Sequence, residues 1–142
     1  MSTNARIGIL HKDKSTDTIY CHWDGYPSYI TPILLRSYNN IHKITQLINL
    51  GDISVLHDNI TPPDKTKPHT FDHPQDNTVI AYHRDRKEPW QDTQPMHTNT
   101  KQQLVIKTDV PYIYLFNEVT NQWTYTHGTR FRGFFNPVTD PK

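Results

Sequence analysis

Two runs of alternating apolar and polar residues, joined by a short polar turn, constrain this chain most. Residues 6–13, RIGILHKD, place Ile7 and Ile9 on one side, and residues 18–24, TIYCHWD, alternate in the same way. Successive side chains of a strand point to opposite faces, and a turn-rich segment between two such runs is typical of a hairpin. The sequence therefore predicts that the chain begins with a β-hairpin.

The hydrophobic period changes after Gly25, where apolar residues recur at spacings of three and four. This spacing predicts two helices, separated at Asn39-Asn40, with one of these asparagines as the N-cap of the second helix. Pro32 is expected in the first turn of the first helix, where its missing N–H costs nothing. Gly51 is expected to end the second helix.

The rest of the chain predicts strands separated by long polar loops. Residues 59–77 contain four prolines and many polar residues, and residues 86–100 form a second long loop. Strands are predicted at residues 78–85, 103–109, 112–118 and 123–127, the last two as a hairpin. A short apolar segment occupies residues 53–56.

These elements predict an α+β fold. We expect an antiparallel sheet of about five strands, with the helical pair inserted after the second strand and with long polar loops. Residues 1–127 are expected to form a single domain, and residues 128–142 a C-terminal basic-aromatic arm.

Composition limits the function classes. The 142 residues include 15 basic and 14 acidic side chains, a net charge of +1 that argues against strong general nucleic-acid binding. Cys21 is the only cysteine, so no intrachain disulfide framework is expected, and on the apolar strand face it is expected to be buried and inert. Without a signal peptide or a long apolar run, the chain is expected to be soluble and intracellular, with no membrane partner.

The parity of the strand residues predicts two unlike sheet faces. An apolar face, expected under the helices, comprises Ile7, Ile9, Ile19, Cys21, Trp23, Val79, Ala81, Ile113 and Leu115. An aromatic and polar face comprises Tyr20, His22, Asp24, Tyr82, Arg84, Tyr112, Tyr114 and Phe116. The second face suits stacking on a planar ligand or a subunit interface, and a layer covered by the long loops is the alternative.

Two residue pairs raise the question of acid–base or metal chemistry. His22 and Asp24 lie two apart, so they suit either a general base with its orienting carboxylate or local hydrogen bonds at the turn. His69 and His73 lie four apart in a proline-bracketed loop, and two ligands do not close a tetrahedral metal site. No catalytic residue, metal or cofactor is assigned.

Arginines supply two further patterns. Arg84 and Arg86, in YHRDR, suit phosphate recognition through bidentate donors, with salt bridges at a strand end as the alternative. RFRGFF, residues 130–135, interleaves basic and aromatic residues, a pattern that suits either single-stranded nucleic acid or an arm docked on the core or on a second subunit. No Ser–His–Asp, Walker-type or dinucleotide fingerprint is present.

Several blocks together resemble a known family. They are MSTNARIGIL, IYCHWDGYPSY, ILLRSYNNIHKITQLINLGDIS, AYHRDR and YIYLFN followed by a tryptophan. With them the chain is similar to a family of small bacteriophage and prophage proteins that share an IYCHWDGYP block. The resemblance covers most of residues 1–125, while residues 86–103 and the tail after His127 depart from it.

The resemblance implies a phage-encoded accessory protein in the cytoplasm of the infected bacterial host. We expect a non-enzymatic counter-defence protein that binds a nucleotide-like small ligand through the aromatic-polar face. In this hypothesis the ligand contacts are Tyr20, Tyr82, Tyr112 or Tyr114 for stacking, Arg84 and Arg86 for phosphate, and His22 and Asp24 for hydrogen bonds to ribose or base. Tyr26 is a further candidate contact.

Two alternatives stay open. One is a protein–protein inhibitor of a host defence or nucleic-acid enzyme, without a small ligand. The other is a small metal- or His-dependent hydrolase. A homo-oligomer is expected for the leading hypothesis, because a small polar core gains stability when an aromatic face is buried between copies.

Overall fold

The computed structural model describes residues 2–128 and 135–138, which form an α+β fold. Its strands are β1 Ala5–Leu10, β2 Thr16–Cys21, β3 Ile53–Val55, β4 Ile80–Ala81, β5 Met96–Thr98, β6 Tyr112–Asn117, β7 Gln122–His127 and β8 Asn136–Pro137. Its helices are α1 Pro27–Ser37, α2 Ile41–Ile48, α3 Tyr82–Arg86, α4 Trp90–Thr93 and α5 Lys101–Lys107. The α+β class and the helical pair after the second strand are confirmed.

The sheet is mixed, so the prediction of an antiparallel sheet with about five strands was wrong. The strand order is β4-β3-β2-β1-β6-β7-β8. The short strand β5 lies off this path and pairs with β2, which also pairs with β3. β1 and β2 form the predicted hairpin, as do β6 and β7, but β1 pairs with β6 in parallel. A parallel pair needs a long crossover, and the roughly hundred intervening residues provide one here.

The residues predicted to cap and end the second helix do so in the structure. The side chain of Asn40 accepts a hydrogen bond from the Lys43 N–H, as expected of an N-cap. Gly51 has φ +76°, a left-handed conformation suited to glycine. Pro32 lies inside α1 and not in its first turn, because Pro27 already occupies the start of that helix. The prediction for Pro32 was therefore wrong.

Two predicted strands differ in the structure. In residues 78–85, only Ile80–Ala81 is a strand, and α3 begins at Tyr82, where the Asp85 carboxylate accepts the Ala81 N–H at 2.7 Å. Residues 103–109 lie mostly in α5, whose Thr100 cap accepts a hydrogen bond from Gln103. The apolar run in α5 had suggested a strand, although only Leu104 of the helix is buried.

The two faces of the sheet carry separate clusters of apolar side chains. The larger cluster packs α1 and α2 against the sheet and includes Ile7, Ile19, Cys21, Tyr114 and Phe116. The smaller, on the opposite face, includes Leu104, Ile113 and Leu115.

The larger cluster corrects the predicted faces. The β1–β6 register pairs Tyr114 with Ile7, and paired residues share a face, so Tyr112, Tyr114 and Phe116 belong to the helix-covered side. Trp23 follows the end of β2 and is 46% exposed, so it does not pack under the helices as predicted. Cys21 is fully buried, as predicted.

The predicted C-terminal arm falls largely on residues 129–134 and 139–142, outside the described residues. Within the described segment, β8 pairs with β7, and Val138 is buried in the larger cluster. The Lys101 ammonium lies 5.1 Å from the centre of the Phe135 ring. Across residues 2–128 and 135–138, none of the helices combines the length and apolar character needed to cross a membrane.

Candidate ligand-binding site

Several charged and hydroxyl-bearing side chains gather on the sheet face opposite α1 and α2. We call the group formed by Arg6, Tyr20, Asp52, Tyr82 and Glu88 the polar cluster. Arg6 and Tyr20 are direct partners in the β1–β2 pair, so their side chains point to the same face. This face of the sheet therefore carries partly buried charged groups, Arg6 and Asp52, beside its apolar side chains.

Arg6 is the most deeply buried member and is only 7% exposed. Its Nε donates to Thr18 Oγ1 at 2.8 Å, and its Nη2 donates to the Thr18 carbonyl at 2.9 Å. None of the ion pairs in the described part of the chain includes Arg6. Burial lowers the pKa of Arg6, while the charges of Asp52 and Tyr20 oppose that change.

Asp52 connects the strands of the polar cluster. Its Oδ1 accepts the Tyr20 N–H at 2.8 Å, and its backbone carbonyl accepts the Tyr82 N–H at 3.1 Å. The left-handed turn at Gly51 places Asp52 here, and the Asp52 N–H donates to the Thr93 carbonyl at 2.7 Å. Burial raises the pKa of Asp52, and the charge of Glu88 raises it further, while Arg6 and the Tyr20 N–H lower it.

Beside the polar cluster lies a continuous row of rings, Tyr20, His22 and Trp23, which we call the aromatic strip. The Tyr20 hydroxyl lies 2.8 Å from His22 Nδ1, with ring centres 5.8 Å apart. Trp23 meets the His22 ring edge-on, with a centre distance of 4.7 Å. Since Trp23 is 46% exposed and Tyr20 and His22 are half-buried, the strip offers aromatic surface to solvent.

Tyr82 forms the other side of the site. Its ring centre lies 5.3 Å from that of Phe71, over which the Arg86 guanidinium sits at 5.1 Å. Burial raises the pKa of Tyr82, a hydrogen bond with the Ser54 side chain opposes this, and the Glu88 charge adds to it. Tyr20, His22, Tyr82 and the exposed Arg86 are therefore the predicted site residues that the structure brings to one region.

Tyr112 and Tyr114 do not belong to this region. They lie on the helix-covered face, where Tyr114 is fully buried and its hydroxyl donates to the Gly25 carbonyl at 2.8 Å. Burial raises the pKa of Tyr114. The parity argument had no information on the register between β6 and β1, and in the observed register Tyr114 pairs with Ile7 and not with Arg6.

Arg84 is committed to the fold. Its guanidinium donates to the carbonyls of Ile60 and Val79 at 2.7 and 2.8 Å, and to the Asp85 carboxylate at 2.9 and 3.1 Å. These bonds join α3 to the loop that precedes β4. Arg84 thus forms a local salt bridge with Asp85, which was the alternative to phosphate binding.

Asp24 and Tyr26 lie on the turn into α1. Asp24 has φ +56°, and Tyr26 is the N-cap residue of α1, with its ring 6.2 Å from Tyr29. Burial and the nearby Asp24 charge raise the pKa of Tyr29 to about 12. No ion pair joins His22 to Asp24 in the described part of the chain, so the hypothetical base with its orienting carboxylate does not form.

His69 has a structural role. Its Nδ1 accepts the Gln75 N–H at 2.9 Å, so the ring proton is on Nε2, which donates to the Val79 carbonyl at 2.9 Å. With both nitrogens engaged and a side chain 4% exposed, His69 fastens the long loop to β4. His73 is exposed, and no group of three or more metal-ligating side chains with suitable geometry occurs among the described residues.

A second group of ionisable side chains joins the ends of β1, β2 and β5. Asp17 binds His11 Nε2 at 2.6 Å and His97 Nδ1 at 2.9 Å, and His11 Nδ1 lies 3.6 Å from Glu118. A cavity of about 310 Å³ adjoins His11 and Asp17. Each Asp17 oxygen already has an imidazole partner, so the charged groups of this cluster are paired with one another.

Sequence reasoning missed Arg6, Asp52, Glu88 and Trp23. Arg6 had a usable signal, because its parity in β1 is opposite to that of Ile7. Asp52 had one as well, since it follows the predicted helix stop at Gly51 and begins the next strand segment. Glu88 had none, because its position depends on the left-handed turn at Lys87, where φ is +60°.

Comparisons of the chain with protein-family models, with curated proteins and with solved structures find no match. The resemblance to the phage family therefore stays a prediction, and the proposed function depends on the geometry of the site.

Proposed function

We propose that this chain is a non-enzymatic binding protein for a nucleotide-like small ligand, which it holds between the aromatic strip and the polar cluster. The planar base stacks on the exposed ring of Trp23, and the polar cluster supplies hydrogen bonds to the ligand. Arg86, exposed at the rim above Phe71, meets the phosphate. Compared with the sequence hypothesis, this site keeps Tyr20, His22, Tyr82 and Arg86 and adds Arg6, Trp23, Asp52 and Glu88.

The observation that carries the proposal is the exposure of Trp23 at the end of a row of rings that runs through His22 to Tyr20. A 46% exposed tryptophan adds little to the core of its own fold, yet its ring is contiguous with His22 and Tyr20. Stacking of a base on an aromatic ring contributes about 1–3 kcal/mol and tolerates different bases. Hydrogen-bonding groups such as those of the polar cluster then provide orientation and specificity.

The hydrogen bonding of His22 favours binding over catalysis. Its Nδ1 forms a hydrogen bond with the Tyr20 hydroxyl at 2.8 Å. Its backbone carbonyl accepts a hydrogen bond from the Asn4 side-chain amide at 2.7 Å. A catalytic imidazole usually has a carboxylate that orients it. Within the described residues His22 has none, so recognition is the better account of its position.

The biological setting of the proposal is counter-defence by a bacteriophage in the cytoplasm of its host. There the protein sequesters a nucleotide signal and thereby blunts a host response. Support for this setting comes from the resemblance of the sequence blocks, and support for the ligand class comes from the site.

Isothermal titration calorimetry with a panel of linear and cyclic nucleotides tests the proposal. We expect saturable binding by the wild-type protein and a loss of about fivefold or more in Trp23→Ala, from the stacking contribution. Tyr26→Ala is the matched control, because Tyr26 is a similarly exposed aromatic on the same turn but lies outside the strip. Recovery of intact nucleotide from the heat-denatured complex is expected of a binding protein.

Three outcomes would contradict the proposal. Absence of binding across the panel would favour a protein partner, which the exposed Trp23 and Tyr26 would then contact. Conversion of the nucleotide would indicate a hydrolase. Equal losses in Trp23→Ala and Tyr26→Ala would place the ligand elsewhere on the surface.

A further inference from the structure

The guanidinium of Arg6 has one donor edge in use and one edge free. Its Nε and Nη2 donate to the Oγ1 and to the carbonyl oxygen of Thr18 at 2.8 and 2.9 Å. A guanidinium carries its N–H donors in a rigid plane, so these bonds leave the parallel donors of the Nη1–Nη2 edge unused. Within residues 2–128 and 135–138, no group accepts a hydrogen bond from Nη1.

The free edge of Arg6 keeps contact with solvent. Arg6 is 7% exposed, and among the described side chains the one polar atom that is both shielded from solvent and unpartnered belongs to Glu88. Nη1 of Arg6, which has no partner in the described chain either, is therefore not shielded. The two bonds to Thr18 hold the guanidinium in one orientation, so the free edge is presented in a fixed direction.

The positive charge of Arg6 has no ion-paired carboxylate. None of the ion pairs of the described chain includes Arg6, and Asp52 acts on it through its charge from beyond ion-pair distance. In the central strand β1, Arg6 has the fully buried Ile113 as its register partner on β6. A hydrogen bond from a charged donor is stronger in such a partly desolvated place than on an open surface.

The β1–β2 register places Arg6 next to the aromatic strip. Arg6 and Tyr20 are direct partners, so their Cβ atoms lie roughly 5 Å apart on the same face. The Tyr20 hydroxyl bonds to His22, and the His22 ring contacts Trp23. Trp23 and Arg6 therefore lie at opposite ends of this row of side chains. A ligand that stacks on Trp23 and extends along the strip presents its far end to Arg6.

The ligand group that fits the free edge is an oxyanion, because two parallel N–H donors match two oxygens bidentately. We propose that Arg6 binds the phosphoryl group of the ligand while the planar base stacks on Trp23. This inference rests on the proposed function and deepens it, since it gives the direction in which the ligand lies. Arg86 at the rim is exposed and already lies 3.6 Å from the Glu88 carboxylate, so we expect a smaller contribution from it.

Isothermal titration of the full chain with adenosine, guanosine, cytidine and uridine, each against its 5′-monophosphate, measures what the phosphoryl group contributes. The measured quantity is the ratio of the nucleoside Kd to the nucleotide Kd. Hydrogen bonds to a charged group predict a ratio of about 10- to 150-fold for the wild-type protein. Inorganic phosphate and acetate, titrated in parallel, separate phosphoryl from carboxylate recognition and the bound nucleotide from the free anion.

Arg6→Lys retains a positive charge and a donor for Thr18 but lacks the parallel pair of donors. The ratio is expected to fall by about fivefold or more, with the affinity for nucleosides unchanged. Arg6→Met removes the charge as well and is expected to lower the ratio further. Thermal melts of both variants verify folding before binding is compared.

Arg36→Lys is the matched control. Arg36 also donates through Nε and Nη2, but to the Asp58 carboxylate, and it lies on α1 on the other side of the sheet. The same substitution there should leave the ratio unchanged.

The outcomes separate the two proposals. An unchanged ratio in folded Arg6→Lys, or an equal loss of affinity for nucleosides and nucleotides, would overturn the role of Arg6 while leaving nucleotide binding in place. Tighter binding of acetate than of inorganic phosphate would overturn the phosphoryl assignment. Phosphate binding that Arg6→Lys abolishes, without added affinity from any nucleoside, would support the anion site and contradict the stacked base. Failure of every nucleotide and of phosphate to bind would overturn both proposals.

Discussion

The side chain of Asp52 accepts the backbone N–H of Tyr20 at 2.8 Å, and this bond joins the segment after Gly51 to β2. The same carboxylate lies near Arg6 and Glu88, and burial raises its pKa. A carboxylate with a raised pKa is less favourable when ionised in the folded protein than in the unfolded chain. Neutralising this carboxylate therefore separates its contribution to stability from the contribution to binding that we propose.

Asp52→Asn is expected to weaken binding of the ligand while maintaining or raising thermal stability. The amide keeps an oxygen for the Tyr20 N–H but loses one acceptor, and a hydrogen bond to a charged group contributes about 1.5–3 kcal/mol. Binding should therefore fall about tenfold or more. Calorimetric titration and thermal melts measure the two effects.

The stability effect of Asp52→Asn should depend on pH in one direction. Because the folded-state pKa of Asp52 is raised, the wild-type protein loses the contribution of this group as pH rises above the unfolded value of about 3.9. The advantage of the variant is expected to be larger at pH 7 than at pH 3. Asp92→Asn, at an exposed position on α4, is the control, and a variant less stable at pH 7 than at pH 3 relative to wild type would contradict the prediction.

Short-range sequence patterns were enough to predict the elements that depend on neighbouring residues. The first hairpin, the Asn40 cap and the Gly51 stop depend on residues close in sequence, and each was predicted. The β1–β6 pairing depends instead on contacts across a long crossover, and it decides which face Tyr114 occupies. A one-residue change of register moves all side chains of a strand to the other face of the sheet. Because the register of β6 was not predicted, Tyr112 and Tyr114 were placed on the same face as Tyr20, whereas they lie on the opposite face.

Tyr114→Phe is expected to destabilise the protein and leave ligand binding unchanged. Its hydroxyl donates to the Gly25 carbonyl at 2.8 Å inside the larger apolar cluster, and loss of that donor leaves a buried acceptor unsatisfied. The expected cost is about 1–3 kcal/mol, with a fall in Tm of about 2–4 °C for each kcal/mol. Tyr112→Phe, at a half-buried neighbouring position, is the control. Weaker ligand binding by Tyr114→Phe would contradict its position away from the site.

The polar cluster was only partly predictable for a related reason. Tyr20 and His22 lie on one strand, so their shared face follows from alternation. Asp52 and Glu88 reach the same face through left-handed turns at Gly51 and Lys87. A glycine such as Gly51 indicates from the sequence that a left-handed conformation is possible. A lysine at positive φ, such as Lys87, gives no such indication.

Cys21 is expected to resist alkylation in the native protein. Its side chain is fully buried, and burial raises the pKa of its thiol to about 12, so the reactive thiolate is scarce at pH 8. Mass spectrometry after treatment with iodoacetamide should show no adduct under native conditions and complete modification in denaturant. Rapid modification of the native protein would show that β2 opens locally on the timescale of the reaction.

Asp58 is expected to make stability fall in acid. Its carboxylate accepts two hydrogen bonds from Arg36 and one from Ser37, and these bonds lower its pKa to about 2. Because this pKa lies below the unfolded value, the contribution of Asp58 is complete above about pH 4 and is lost as pH falls towards 2.

Asp58→Asn tests this dependence. Since Arg36 is largely exposed, the expected loss at pH 6 is about 1 kcal/mol, and it should shrink towards zero near pH 2. Urea denaturation at pH 6, 4 and 2.5 measures the difference, with the exposed Asp72→Asn as the control. A difference that stays constant over this range would assign the effect of Asp58→Asn to lost packing at the end of α1 and not to its charge.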